Sequence, residues 1–224
     1  MSRARMIALL VIKDWQVYQK QLAGYVAGMV LALGLIGTGK PWASSAGALL
    51  LLVLQVVVGS FAIQSSLLTE RKQQTLAFIM SLPVSPMDVY WGKLLANLAI
   101  YMLPFSLVTG GMVAMIMLTA IPDGSLVWML LTAMFLFASF SASLCFAIVV
   151  ESEGWNTFMM LALMTLLGPF MYLVAQLDGI APFIRGDRVV WSPAALGVLA
   201  AECAAIAIAI GLTSWLQKRK TSFL

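Results

Sequence analysis

Glu202 stands alone in a long apolar run, with no other charged side chain between Val189 and Gln217. A carboxylate placed there can carry a proton, hold a polar substrate or close a structural hydrogen bond. In hydrocarbon it costs several kcal/mol, so it must be protonated, paired or turned to a watery cavity. Its candidate partners are the neutral groups of Asn97, Thr109, Gln55 and Gln64, and with Asn97 it marks a possible translocation path or buried polar site. Intramembrane catalysis needs a second reactive group at the same depth, and the spans offer only Glu202. There is no histidine, and Cys145 and Cys203 lack metal-ligand spacing, so no metal or haem site of the usual ligand types is expected. The 15 methionines read as helix packing rather than as a soft-metal path. Gly34 to Lys40 matches G-x-x-x-x-G-K, but Pro41 stands where a phosphate-binding loop needs the Ser or Thr that ligates magnesium. By itself the chain is therefore not expected to hydrolyse ATP or to be an enzyme.

The elements that position these residues follow from the charges. Of 224 residues 62% are hydrophobic and only 10% charged, against roughly 25% charged in a soluble domain. The charges fall in clusters separated by six gaps, Gln21–Gly39, Pro41–Thr69, Leu94–Pro122, Gly124–Val150, Gly154–Leu177 and Val189–Gln217, the last broken only by Glu202. Each is long enough to cross a ~30 Å hydrocarbon layer as helix at ~1.5 Å per residue. The expectation is an all-α integral membrane protein, one transmembrane domain over 1–224, with spans near 22–37, 46–68, 87–121, 126–150, 155–176 and 193–215. Ten of the 13 Lys and Arg residues fall on the side of the two termini and three on the other, which places both termini in the cytoplasm. The same distribution accounts for the net charge of +4 through attraction to membrane lipid, with no nucleic-acid partner. The basic start and short apolar run at Met6–Ile12 end at Lys13 and Asp14, and no cleaved signal is expected.

Local signals refine this outline. Residues 3–20, with Trp15 and Tyr18, read as an amphipathic helix on the cytoplasmic surface. Gly24 and Gly28 form a G-x-x-x-G, a candidate for helix packing or dimer contact. Ser85, Pro86 and Asp88 make a helix start for span three, Pro104 predicts a kink within it, and Ala138, Ser139, Ala142 and Ser143 give span four a small-residue contact face. Gly168-Pro169 breaks the outer part of span five, and Ser192-Pro193 starts span six. Trp42, Trp128 and Trp191 mark an outer interfacial belt, and Trp15, Trp91, Trp155 and Trp215 an inner one.

The connection between spans two and three is the most informative segment. Glu70 to Leu82 reads as a short helix with a charged first turn and with Leu76, Ile79 and Met80 at helical spacing. Its Glu70-Arg71-x-x-x-Thr75-Leu76, followed by Ser81-Leu82-Pro83-Val84-Ser85-Pro86 and Trp91-Gly92-Lys93, resembles the signature of ABC-2-type transporter permeases, the membrane subunits of ATP-driven exporters. The likeness extends to the six spans, the N-terminal helix and the Ser-Pro start of the last span. It implies that residues 70–82 form a coupling helix, with Glu70, Arg71, Lys72, Gln73, Gln74, Thr75 and Leu76 at the ATPase subunit, and that Lys13, Asp14 and Tyr18 make a secondary cytoplasmic contact. The resemblance further implies a half-transporter in a prokaryotic cytoplasmic (inner) membrane. Its partners would be two ATP-binding subunits, which hold the ATP and magnesium, and a second permease copy, identical or related. The substrate class suited to so apolar a wall is hydrophobic or amphipathic: a drug, peptide, antibiotic or lipid-like molecule. The alternatives are a haem-export permease of the cytochrome c maturation kind and a membrane scaffold or sensor that moves nothing. The external connection Asp178–Arg188 is short beside family members with developed re-entrant helices there.

Overall fold

The computed structural model describes residues 3–69 and 86–219. Among these residues there is helix and turn but no strand, and six segments are long and apolar enough to cross a membrane: Val11–Gly37, Pro41–Leu68, Met87–Leu118, Ser125–Val149, Glu153–Gln176 and Pro193–Arg219. This is the architecture of a multi-pass membrane protein. Residues 70–82, the expected coupling helix, lie outside the described residues, as does Ser85.

The first helix, α1, runs unbroken over Arg3–Gly37. The sequence reading separates a surface helix over 3–20 from a span over 22–37; the structure joins them, because residues 13–21 contain neither Pro nor Gly and nothing ends the helix there. After a turn at Gly39, whose φ of +68° suits a glycine, α2 spans Pro41–Ile63. It starts five residues before the expected position 46, since a proline at the first helical position needs no hydrogen-bond partner for its nitrogen. The phosphate-loop-like Gly34–Lys40 is simply this helix end and turn. α2 continues as a π-helical turn over Gln64–Leu68.

α3 spans Pro86–Leu118, passing through the buried Pro104, and α4 spans Ser125–Val149. The fifth crossing is split into α5 (Glu153–Thr165) and α6 (Leu167–Gln176). The expected break is therefore present, and it falls at Leu166, one turn ahead of Pro169, whose ring is incompatible with the preceding helical carbonyl. α7 spans Pro193–Arg219, and the Ser192 hydroxyl accepts the Ala195 amide at 3.2 Å as the cap the Ser-Pro pair predicts. The 177–192 connection is a set of turns, pinned to the start of α4 by a Gly124 N–H to Gly186 carbonyl bond of 2.9 Å. A side chain at Gly124 would collide with the Phe183 carbonyl.

α1 packs along α2 and α3, while α4 touches α2, α3, α5, α6 and α7 and is the central helix. Half of its apolar window is buried, against 11% for α5–α6 and for α7, so the outer faces of the last two crossings are left uncovered by this chain. α1 and α2 approach closely at Gly47, where a Cβ would sit 2.6 Å from the Ala32 carbonyl. Of the two G-x-x-x-G glycines, Gly28 faces Leu54 of α2 within the same chain and Gly24 faces open space. The Trp128 indole is turned toward α6 and donates to the Met171 carbonyl at 3.2 Å.

Two substitutions separate these glycines. Gly47→Ala forces α1 and α2 apart and is expected to cost about 1–3 kcal/mol. Gly24→Ala is expected to be neutral or to stabilise by up to ~1 kcal/mol through helix propensity. Thermal melting of the detergent-solubilised variants, monitored by size-exclusion chromatography, checks the pair; equal melting temperatures would contradict the α1–α2 contact.

Candidate functional site

Hydrocarbon offers no partners to polar side chains, so those that α1, α2 and α3 carry into the bundle are stabilised by meeting one another. At one end of the bundle they do so. The Lys93 ammonium of α3 lies 3.0 Å from Asp14 Oδ2 of α1, with side-chain exposures of 6% and 3%. Lys13, half exposed, approaches the other Asp14 oxygen at 3.5 Å. One turn further along α3, Asn97 donates to the Lys93 carbonyl at 2.9 Å and accepts the Ser66 hydroxyl at 2.8 Å. Ser66 belongs to the π turn of α2, and the Thr69 backbone N–H and hydroxyl both return to the Gln64 carbonyl. π turns widen a helix by one residue and recur at functional sites. Here the turn carries the Ser66 hydroxyl that meets Asn97, at the last described residues before position 70.

The residues singled out from sequence divide into three groups. Glu70, Arg71, Lys72, Gln73, Gln74, Thr75 and Leu76 lie outside the described residues. Lys13, Asp14 and Tyr18 come together with the two segments that flank residues 70–85. Asp14 and Tyr18, however, are turned into the chain: Asp14 holds Lys93, and Tyr18 packs edge-on against Phe61 at 5.7 Å. The physical reason is that α1 runs on without a bend and lays this face against α2 and α3. Of the three, Lys13 is the one left exposed.

Glu202 and Asn97 are not brought together. Asn97 is fully engaged at the Lys93 end. Glu202 lies on the buried face of α7 together with Ala195, Thr213 and Gln217, on a helix that packs mainly against α4. Neither of its carboxyl oxygens has a hydrogen-bond partner among the described residues. Farther along α7, Gln217 reaches the Ile148 carbonyl of α4 at 3.4 Å, and Tyr90 of α3 reaches the Ile210 carbonyl at the same distance, so both helices hold α7 at this end. Among the described residues no three His, Cys, Asp or Glu side chains gather, and Cys145 is buried while Cys203 is exposed.

Sequence reasoning used Lys93 in the charge count that orients the chain and in the Trp91-Gly92-Lys93 resemblance, and gave it no partner. The signal that it pairs with Asp14 was its place inside a helix, flanked by apolar Leu94 and Leu95, at the same end as an acid likewise embedded in a helix. Gln55 and Thr109 were named only as partners for Glu202. Instead they line a cavity of about 150 Å³ between α2, α3, α4 and α6, which Glu202 does not border.

Compared with protein-family models, with curated proteins and with solved structures, the chain matches none.

Two predictions follow from the geometry. Lys93→Met removes the buried partner of Asp14 and is expected to destabilise by roughly 3 kcal/mol, whereas the double replacement Asp14→Leu/Lys93→Met recovers most of that loss. Denaturation of the wild type, Asp14→Leu, Lys93→Met and the double variant in one detergent reads the coupling, and additive single-site effects would exclude a functioning pair. Glu202→Leu removes two unpartnered buried oxygens and is expected to raise stability by about 1 kcal/mol or more. A lowered melting temperature would show that the carboxyl makes a stabilising contact.

Proposed function

We propose that the chain is the permease subunit of an ABC-2-type exporter that moves a hydrophobic or amphipathic substrate, with ATP hydrolysed on a separate chain. The observation that supports the reading best is the convergence, at one end of the bundle, of the segments on either side of residues 70–85. The π turn of α2 leads to Glu70, α3 begins at Pro86, and α1 is tied to α3 by Asp14 and Lys93. The E-R-x-x-x-T-L and S-L-P-V-S-P sequences lie between those two helices.

In this reading the polar end of the bundle faces the cytoplasm, and residues 70–82 seat in a cleft of the ATP-binding subunit. When ATP draws two such subunits together, the displaced segment pulls on α2 and α3. The Asp14–Lys93 pair makes α1 follow α3, so that three spans move as one lever, while the π turn is where α2 changes register. ATP and its magnesium stay on the partner. Coupling requires that the partner bind the two arrangements of the spans with different affinity, since a ligand indifferent to them shifts nothing. Two copies of the chain, or one copy and a related permease, enclose the path, and the uncovered faces of α5–α6 and α7 are available to lipid or to that second copy. Glu202 on α7 is the single acid placed deep enough to meet a substrate in transit.

Purifying the tagged chain in mild detergent and identifying what remains bound tests the proposal. A stoichiometric partner with a phosphate-binding loop and substrate-stimulated ATPase activity is the expected result; an intact, monodisperse chain with no such partner would favour a scaffold that moves nothing. Reversing the charges of Glu70 and Arg71 is expected to lower partner recovery or ATPase activity at least tenfold while the six spans still insert. Wild-type levels of both would remove residues 70–76 from the contact.

A further inference from the structure

We infer that the cavity between α2, α3, α4 and α6, open on one side, is a binding site for a small apolar molecule carrying one neutral hydrogen-bonding group such as a carboxamide. The inference stands independently of the exporter reading. The cavity holds about 150 Å³, and its walls are apolar side chains, Leu51, Phe105, Val108, Met112 and Leu136 among them. No charged residue borders it. A cavity of about this size in a protein core accepts a benzene-sized molecule. Methionines from three of the four helices, Met112, Met129 and Met171, give the wall a shape that adapts to what enters.

Gln55, Thr109 and Thr132 interrupt this apolar lining, and the first two make no hydrogen bond. Gln55 is 2% exposed, and neither its amide nitrogen nor its amide oxygen makes a hydrogen bond. The Thr109 hydroxyl, buried on the same cavity, is also unbonded. The third polar side chain, Thr132, is satisfied by the Trp128 carbonyl at 2.9 Å and asks nothing of a ligand. The Tyr101 hydroxyl lies close enough to Gln55 to interact with its side chain, but the ring is stacked on Phe140 at 4.0 Å between centroids and no hydrogen bond of good geometry joins the hydroxyl to the amide. Gln55 also borders a smaller void of about 30 Å³ beside Ser60, Ser139 and Ser143, so its amide stands at the junction of two spaces.

Depth gives the unmet bonds their weight. Gln55 lies near the middle of the Pro41–Leu68 span, roughly 20 Å of helix from either end, where water outside the protein cannot serve it. A carboxamide matches the free donor and free acceptor of Gln55 at once, while its apolar remainder fills the cavity. An ionised group would be desolvated with no counter-charge to meet it, so carboxylates and ammonium ions are excluded.

Trp128 lines the cavity and reports on it. Purified protein in detergent is titrated with 4-iodobenzamide and, separately, with 4-iodotoluene, following tryptophan quenching by the iodine atom. Saturable quenching that Trp128→Phe removes is expected, with the amide binding roughly three- to tenfold more tightly than the hydrocarbon. Gln55→Leu is expected to erase that preference and leave 4-iodotoluene binding unchanged; Ala133→Phe, which fills the cavity, is expected to abolish saturable quenching by both. Where Gln55→Leu does not give monodisperse protein, Thr109→Val replaces it, and a reduced amide preference is again the supporting result. Quenching that is identical in wild type, Gln55→Leu and Ala133→Phe means partition into detergent and overturns the site. Absence of saturable quenching in the wild type, the result for a cavity that holds only water, overturns it equally.

Discussion

Hydrocarbon cannot hydrogen-bond, and a chain this apolar must therefore satisfy its own polar groups or leave them costly. For the backbone the solution is helix throughout the described crossings, since a helix closes its bonds within one segment. For the side chains the outcome differs with depth. Near the end that carries Asp14 and Lys93, opposite charges, an amide and a hydroxyl from three helices pair into one cluster. In the middle, Gln55, Thr109 and Glu202 remain without partners. That contrast separates a part of the bundle built to hold its shape from a part with unmet bonding capacity.

The holding part explains why α1, α2 and α3 form a unit. With lipid tails as apolar as leucine, helices in a membrane gain little from simple burial, so close contact and hydrogen bonds decide which faces meet. Gly47 lets the backbones of α1 and α2 touch at Ala32, and Gly59 makes room for the stacked rings of Tyr101 and Phe140. The Asp14–Lys93 pair then sets which faces of α1 and α3 meet. α4 sits at the centre and carries α5, α6 and α7 on its other sides. The buried face of α7 is unusual for a membrane helix, since Glu202, Thr213 and Gln217 make up three of its four buried residues while Leu196, Ile208, Leu212 and Trp215 are exposed.

Function, in the proposed reading, uses both parts. A force applied at residues 70–82 enters the bundle where the helices are tied together, so it moves them jointly instead of fraying one. The void at mid-depth lies among α2, α3 and α4, the first two of which flank the point where that force is applied. Its volume is therefore sensitive to the same displacement. The π turn at Gln64–Leu68 adds a place where one helix can change register without losing its hydrogen bonds altogether.

Much of the architecture was legible in the amino-acid sequence, because spacing of charge along a chain is a one-dimensional property. The six crossings follow from it, and the break ahead of Pro169 and the Ser192 cap follow from neighbouring residues, Gly168-Pro169 and Ser192-Pro193. Boundaries shifted where one residue outweighed the apolar run, as Pro41 did at the start of α2, and the surface helix merged with the first crossing because nothing between them stops a helix. The pairing of Asp14 with Lys93, the turn of Trp128 toward α6, the intramolecular use of Gly28 and the isolation of Glu202 from Asn97 are different in kind. Each depends on which helix faces which across many tens of residues, and periodicity within one helix carries no such information. The sequence determined how many helices there are and what each contains; only the tertiary structure decided which polar groups meet and which are left facing a cavity.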